Sequence, residues 1–388
     1  MKKTIIVSVV AIFFIVVGVL IASYRIHRLA TTPEIFSEKP QEIPQPQEIF
    51  EAYYDKANAL LETMSLEEEV GQLFLARCPS EGAVEQVIQE HPGGFVLFGN
   101  DFKGKTKEEI EQTITSYQQA STVPMIIGVD EEGGSVVRIS HYSNFRSQPF
   151  GSPREVFHMG GYAALETEAK EKADLLLALG INLNLAPVAD VPTSSESFIY
   201  ERSFGTDPEA TATFVRKMVI IFNEKKIGST LKHFPGYGDN GDSHEEIILD
   251  KRSKETLEQR DFIPFRAGIE AEVPSILVAH NIVESIDSTR PASISKPVHE
   301  ILRKELEFSG IIMTDDTAMK GLTNYTDGGS AAVLAVKAGN DMIISSDFVH
   351  EKEAVLQAVE QGVIDRDTLR LAVKRILAYK YKMGLIVS

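Results

Sequence analysis

Two groups of residues in this 388-residue chain have the types and spacing to make a covalent bond to carbon and to move the accompanying proton. The first is Asp315, with Asp316 beside it, at the end of the apolar run GIIMT. If Met313 points into a central core, the two-residue alternation of an extended chain points Asp315 the same way and turns Thr314 and Asp316 aside. The second is Asp242-Ser243-His244, which ends the Gly-rich segment KHFPGYGDNGDSH at residues 232–244. An Asp two residues from a His can hold one ring nitrogen and leave the other to donate or accept a proton. A carboxylate on one element and a proton donor on another is the division of labour of retaining glycoside hydrolysis. The carboxylate attacks the anomeric carbon while the donor protonates the leaving oxygen.

Other readings of these residues carry weight. One of Asp315 and Asp316 caps the element that follows, because a short acidic side chain after a strand commonly does so. His233, Asp239, Asp242 and His244 have the side chains to hold a metal. The sequence has no His-Glu-x-x-His helix and no His-x-His pair on its first strand, so metal-free catalysis without a cofactor is the stronger expectation. His91, His141 and His350 read as structural. Gly133-Gly134 lacks the Lys-Ser/Thr of a phosphate loop and reads as a tight turn.

The elements that must position these residues are short apolar runs at 72–77, 94–98, 125–129, 182–186, 229–233, 275–280, 311–315 and 342–346. Rich in Ile, Val, Leu and Phe and bounded by Gly or Pro, they suit buried parallel strands. Between them lie amphipathic stretches such as 107–119 and 163–179, and Ser65 with Glu68 forms a capping-box pattern at the start of the first helix. Eight strands alternating with helices predict an α/β fold of the (β/α)8 barrel type, with the first run open to reading as a helix end. Such barrels keep their active sites where the strands end. Asp130, Asp190, Lys232, His233, His280 and Asp315 all fall at that end of a run.

Composition narrows the class. Hydrophobic residues make up 43% and charged residues 24%, enough for a folded core. The formal charge is −17 and the first 28 residues contribute +4, so the remainder carries −21 and repels nucleic-acid phosphates. A single cysteine, Cys78, rules out an intrachain disulfide framework. Lys2 and Lys3 precede an uncharged apolar run over residues 5–22, closed by Arg25 and Arg28. That length approaches a bilayer span and exceeds a usual signal-peptide core, so residues 1–28 are expected to be a signal anchor with the body outside the cytoplasm. Cleavage and secretion is the second reading. Pro33, Pro40, Pro44 and Pro46 make residues 29–50 a spacer, and residues 51–388 read as one catalytic domain.

At these residues the sequence resembles glycoside hydrolase family 3, in its β-N-acetylhexosaminidase branch. The resemblance rests on MSLEEEVGQLF, GVDEEGGSVVR, NLNLAPVADV, ERSFGTDP, KHFPGYGDNGDSH, GIIMTDDTAMKGL and AVKAGNDMII, in that order. It implies Asp315 as nucleophile, His244 as general acid/base and Asp242 as its orienting partner. It also implies that Asp130, Arg138, Arg202, Lys232 and His233 grip the sugar, with Asp190 supporting from behind. The pattern departs from the family at Glu131, Ser135 and Tyr237, where Gln, Arg and His are usual, and the dyad loop is a residue shorter. The implied activity is removal of terminal β-linked GlcNAc from cell-wall fragments or other glycans, by a monomer. A phosphorylase on the same site and a non-catalytic glycan-binding protein are the alternatives.

Overall fold

All eight apolar runs form strands, and they pair in parallel in chain order around a barrel. They are β1 (Phe74–Arg77), β2 (Gly94–Leu97), β3 (Ile126–Val129), β4 (Leu183–Asn184), β5 (Gly228–Phe234), β6 (Ser275–Val278), β7 (Ile311–Thr314) and β8 (Ile343–Ser345). The computed structural model describes residues 48–241, 248–319, 322, 325–326 and 329–387. The expected anchor at 1–28 and most of the spacer lie outside them. Among the described residues no helix is long and apolar enough to cross a membrane. Ile49 and Phe50 already belong to the folded body: the Ile49 amide donates to Ser309 Oγ at 3.1 Å, and Phe50 packs edge-on against Tyr379.

The register runs Leu75↔Gly94, Gly94↔Ile126, Gly128↔Leu183, Leu183↔Gly228, Thr230↔Ser275 and Ser275↔Ile311, and Phe74↔Ile343 joins β1 to β8. Between β7 and β8 the ladder shrinks to a single bridge, Met313↔Met342. Backbone bonds still cross the gap, from the amides of Asp341 and Met342 to the Ile312 carbonyl at 2.8 and 3.1 Å and from the Thr314 amide to the Met342 carbonyl at 3.2 Å, and a side chain adds to them. Asp341, buried at the start of β8, accepts from the Ile312 amide at 2.9 Å, from Arg303 at 2.5 Å and from Arg375 at 2.8 Å. Arg375 belongs to the terminal helix Arg366–Lys382, so that helix takes part in closing the barrel.

Helices cover the outside of the barrel, and local sequence sets where they begin. Ser65/Glu68, Thr106/Glu109 and Ser152/Glu155 are complete capping boxes, each contributing roughly 1 kcal/mol to its helix start. Ser65 opens the second α-helix of the body, since Tyr54–Leu61 precedes it, and Gln72 ends that helix just before β1 begins. The stretch expected to be helical at 163–179 is the second half of Pro153–Ala178, which breaks at Gly160-Gly161.

At the end of the barrel where strands begin, the terminal helix buries Lys380 completely, with its ammonium donating to Gln72 Oε1 at 2.6 Å. Burial pushes that ammonium down to about 7. The folded value lies below the unfolded one, so between about 7 and the ordinary lysine value the unfolded chain binds the extra proton and stability rises with pH. Lys380→Met is therefore expected to stabilise the protein by on the order of 2 kcal/mol at pH 7, after allowing for the Gln72 oxygen left behind. The gain should fade toward pH 10.5. Urea unfolding of both proteins at pH 6 and pH 10 checks this, and an equal difference at the two pH values would refute it.

Candidate active site

The strand ends at the opposite mouth surround an open pocket, lined among others by Phe98, Asp130, Glu132, Arg138, Arg202, Lys232, His233 and Asp315. Six residues singled out from the sequence thus converge on one cavity. They come from β5 and from the segments that follow β3, β4 and β7, more than 180 residues apart at the extremes. Asp242 and His244 lie outside the described residues.

The floor of the pocket is a chain of buried ion pairs. Lys232, in β5, gives one proton to Asp130 Oδ1 at 2.6 Å and another to Glu132 Oε1 at 2.6 Å. Arg202 grips the same Glu132 with two parallel bonds of 2.8 and 3.0 Å. Burial alone would push the Glu132 carboxyl up, but Lys232 and Arg202 beside it hold it well below the ordinary carboxylate range. The same burial would push both cations down; Glu132 and Asp130 outweigh it, and both are held above their usual values. Arg138 stands 3.9 Å from the other oxygen of Asp130 and lies over the Phe98 ring. Asp130 and Glu132 balance Lys232 and Arg202, and Arg138 and Asp315 add one charge of each sign, so the pocket is rich in both donors and acceptors. A neutral polyhydroxylated ligand matches such a surface better than an anion does.

His233 is fixed by its neighbours. Its backbone amide and Nδ1 both reach Asp190 Oδ2, at 3.0 and 2.7 Å, and its Nε2 lies 3.2 Å from Arg202 Nη2. A guanidinium only donates, so Nε2 accepts and Nδ1 carries the proton given to Asp190. Asp190 Oδ1 also receives the Tyr237 amide at 2.7 Å, and the carboxylate is buried behind the pocket, in the supporting place expected for it.

Strand alternation expected Asp315 to face the pocket and Asp316 to turn aside, but both line the cavity. Asp316 spends its carboxylate on structure, accepting from the amides of Ala318 and Ser346, each at 3.0 Å, and from the Ser346 hydroxyl. Asp315 lines the pocket, and its Oδ1 accepts from the Asp316 amide at 2.8 Å. His280, at the end of β6, is buried between Ser293 Oγ at 2.7 Å and the Asp316 carbonyl at 3.0 Å, which braces the turn behind Asp315.

Sequence reasoning missed Glu132, the hub of the floor. It stands third in Asp130-Glu131-Glu132, where nothing local separates it from its neighbours. Only two-residue alternation from Asp130 could have flagged it. Glu131, between them, turns away and accepts from the amides of Arg138 and Ile139, both at 2.8 Å, and of Ser140 at 3.2 Å. Gly133-Gly134 make the tight turn expected of them, both at positive φ, with Gly133 bridged to Val136.

Comparison with known proteins agrees with this geometry. The family model described as "Glycosyl hydrolase family 3 N terminal domain" matches residues 65–379. A β-hexosaminidase of Methylococcus capsulatus is 31% identical over 285 residues, covering 73% of this chain and 84% of the relative. A β-hexosaminidase of Tolumonas auensis is 33% identical over 289 residues, covering 73% and 85%. Among solved structures, a glycoside hydrolase family 3 β-N-acetylglucosaminidase from Paenibacillus sp. str. FPU-7 superposes with a TM-score of 0.78 at 29% identity, covering 84% of this chain and 64% of that one.

Proposed function

The chain belongs to glycosyl hydrolase family 3 and is a glycoside hydrolase; from that premise we propose that it is a retaining exo-β-N-acetylglucosaminidase. The observation that carries this reading is the charge-balanced, hydrogen-bonding floor of Asp130, Glu132, Lys232 and Arg202 beside the pocket-lining carboxylate of Asp315. Named β-hexosaminidases among its relatives support the choice of sugar.

In the proposed reaction, Asp130, Arg138, Arg202 and Lys232 hold the terminal sugar through its hydroxyls and N-acetyl arm, and His233 shapes the wall beside them. A carboxylate oxygen of Asp315 attacks the anomeric carbon as the bond to the leaving oxygen breaks, and His244 gives that oxygen its proton. The product of this half is a glycosyl ester on Asp315. His244, now without its proton, takes one from water. The water oxygen attacks the anomeric carbon, the ester bond breaks and the Asp315 carboxylate is regenerated. Asp242 orients the imidazole through both halves. With residues 1–28 as a signal anchor, the enzyme would work outside the cytoplasm on GlcNAc-terminated cell-wall fragments.

Product analysis with 4-nitrophenyl β-GlcNAc in phosphate buffer tests the reading. Free GlcNAc with retained β-configuration is the expected product. GlcNAc-1-phosphate as the main product would replace hydrolysis by phosphorolysis, and no release at all would favour a glycan-binding role.

A further inference from the structure

Arg138 is held differently from the other cations of the pocket. Lys232 and Arg202 have their charged ends fixed by ion pairs, Lys232 at 2.6 Å to both Asp130 and Glu132 and Arg202 at 2.8 Å to Glu132. Among the described residues the Arg138 head makes one long ion pair, 3.9 Å to Asp130, and its buried Nε has no hydrogen-bond partner. Its guanidinium lies 5.6 Å from the centre of the Phe98 ring. The strong bonds at this residue are made by its backbone.

The Arg138 amide donates to Glu131 Oε2 at 2.8 Å, and the Ile139 amide donates to the same oxygen at 2.8 Å. Ser140 gives Oε1 both its amide, at 3.2 Å, and its hydroxyl proton. Three consecutive amides thus converge on one carboxylate, in the manner of the backbone nests that hold anions. Ser140 Oγ in turn accepts from the Phe150 amide at 3.1 Å, which ties the returning strand of the loop to the segment before Ser152. At the other end Glu131 is fastened to the barrel. Its amide donates to Asn184 Oδ1 at 3.0 Å and its carbonyl accepts from Asn184 Nδ2 at 3.1 Å, at the end of β4, and the residue is fully buried. One side chain therefore carries the position of the strand ends across the turn at Gly133-Gly134 to the backbone from which Arg138 projects.

We infer that Glu131 is a positioning residue for sugar recognition: by gathering the amides of residues 138–140 it aims Arg138 over Phe98 and into the pocket. This rests on the hexosaminidase reading, in which Arg138 grips the terminal sugar. Glu131 is not part of the pocket lining, so it acts on the sugar only through residues that are. Its chain neighbours Asp130 and Glu132 are the other possible carriers of its influence, and a double-mutant cycle with Arg138 separates them.

The cycle is read as kcat/KM for 4-nitrophenyl β-GlcNAc. Arg138→Ala should lower it on the order of 30-fold, the loss of one charged hydrogen bond. Glu131→Ala should lower it about 10-fold, most of that contribution. The double variant should match Arg138→Ala to within about threefold, because Glu131 then has nothing left to aim. Glu131→Gln should rescue, staying within about threefold of wild type: its amide oxygen still accepts from Arg138 and Ile139 and its nitrogen donates to Ser140 Oγ. If Glu131→Ala does not fold, Glu131→Asp takes its place in the cycle, since its carboxylate falls one methylene short of the three amides. Losses that multiply in the double variant, an unaltered kcat/KM in the single one, or a Glu131→Gln as impaired as Glu131→Ala would overturn the positioning role. Wild-type protein inert toward every aryl β-GlcNAc would instead overturn the hexosaminidase reading on which it rests.

Discussion

Asp315→Ala is expected to lower kcat/KM for aryl β-GlcNAc by on the order of 10⁴–10⁶, the scale on which removal of a covalent nucleophile is felt. Asp315 is half-buried at the open mouth of the barrel, and its Oδ1 accepts from the Asp316 amide. Urea unfolding of Asp315→Ala beside wild type separates loss of the nucleophile from loss of the fold. A fluorinated GlcNAc donor that leaves the enzyme slowly should add one sugar mass to the peptide carrying Asp315. Near-normal turnover in Asp315→Ala, or a label on another peptide, would remove Asp315 from the mechanism.

Glu132→Gln is expected to be the costliest change for the fold itself. The carboxylate sits between Lys232 and Arg202 with its side chain 2% exposed, so removing its charge leaves two buried cations facing Asp130 alone. Breaking a buried ion network from one side typically costs about 3–5 kcal/mol. The pH dependence gives the effect a signature. Because the folded Glu132 carboxyl is held below its unfolded value, its contribution is fully present above the ordinary glutamate range and is lost as pH falls through the lowered value. Urea unfolding should show a wide gap between wild type and Glu132→Gln at pH 6–7 that narrows below pH 4. A gap under 1 kcal/mol at pH 7 would mean that the Lys232–Arg202–Glu132 network does little for stability. Activity should fall as well, because Lys232 and Arg202 lose the partner that aims them into the pocket.

The strands were legible because a barrel strand is buried on both faces. Runs such as MIIGV and GIIMT are continuously apolar, and no helix of their length is stable alone. The site was legible at single positions where a strand hands over to a loop: Asp130, Lys232 and Asp315 each follow or end an apolar run. Alternation did not separate Asp315 from Asp316: both line the pocket, and the bonds of Asp316 to Ala318 and Ser346 tell them apart. What stayed hidden depends on partners far along the chain. Glu132 became the hub only when β5 brought Lys232 and the loop after β4 brought Arg202, 100 and 70 residues away. The helix beginning at Pro153 was hidden by Gly160-Gly161, which interrupt the periodicity that identified its second half.

The seam between β7 and β8 has a consequence for local opening. Asp341 is held there by Arg303 and by Arg375, and Arg375 sits on the helix Arg366–Lys382. Fraying of that helix takes a bond from the seam, and β7 runs directly into Asp315. Exchange of the Ile312 amide, which donates to Asp341, should therefore report opening of the helix as well as of the barrel. The order of the strand leading to Asp315 is coupled to an element on the outside of the barrel.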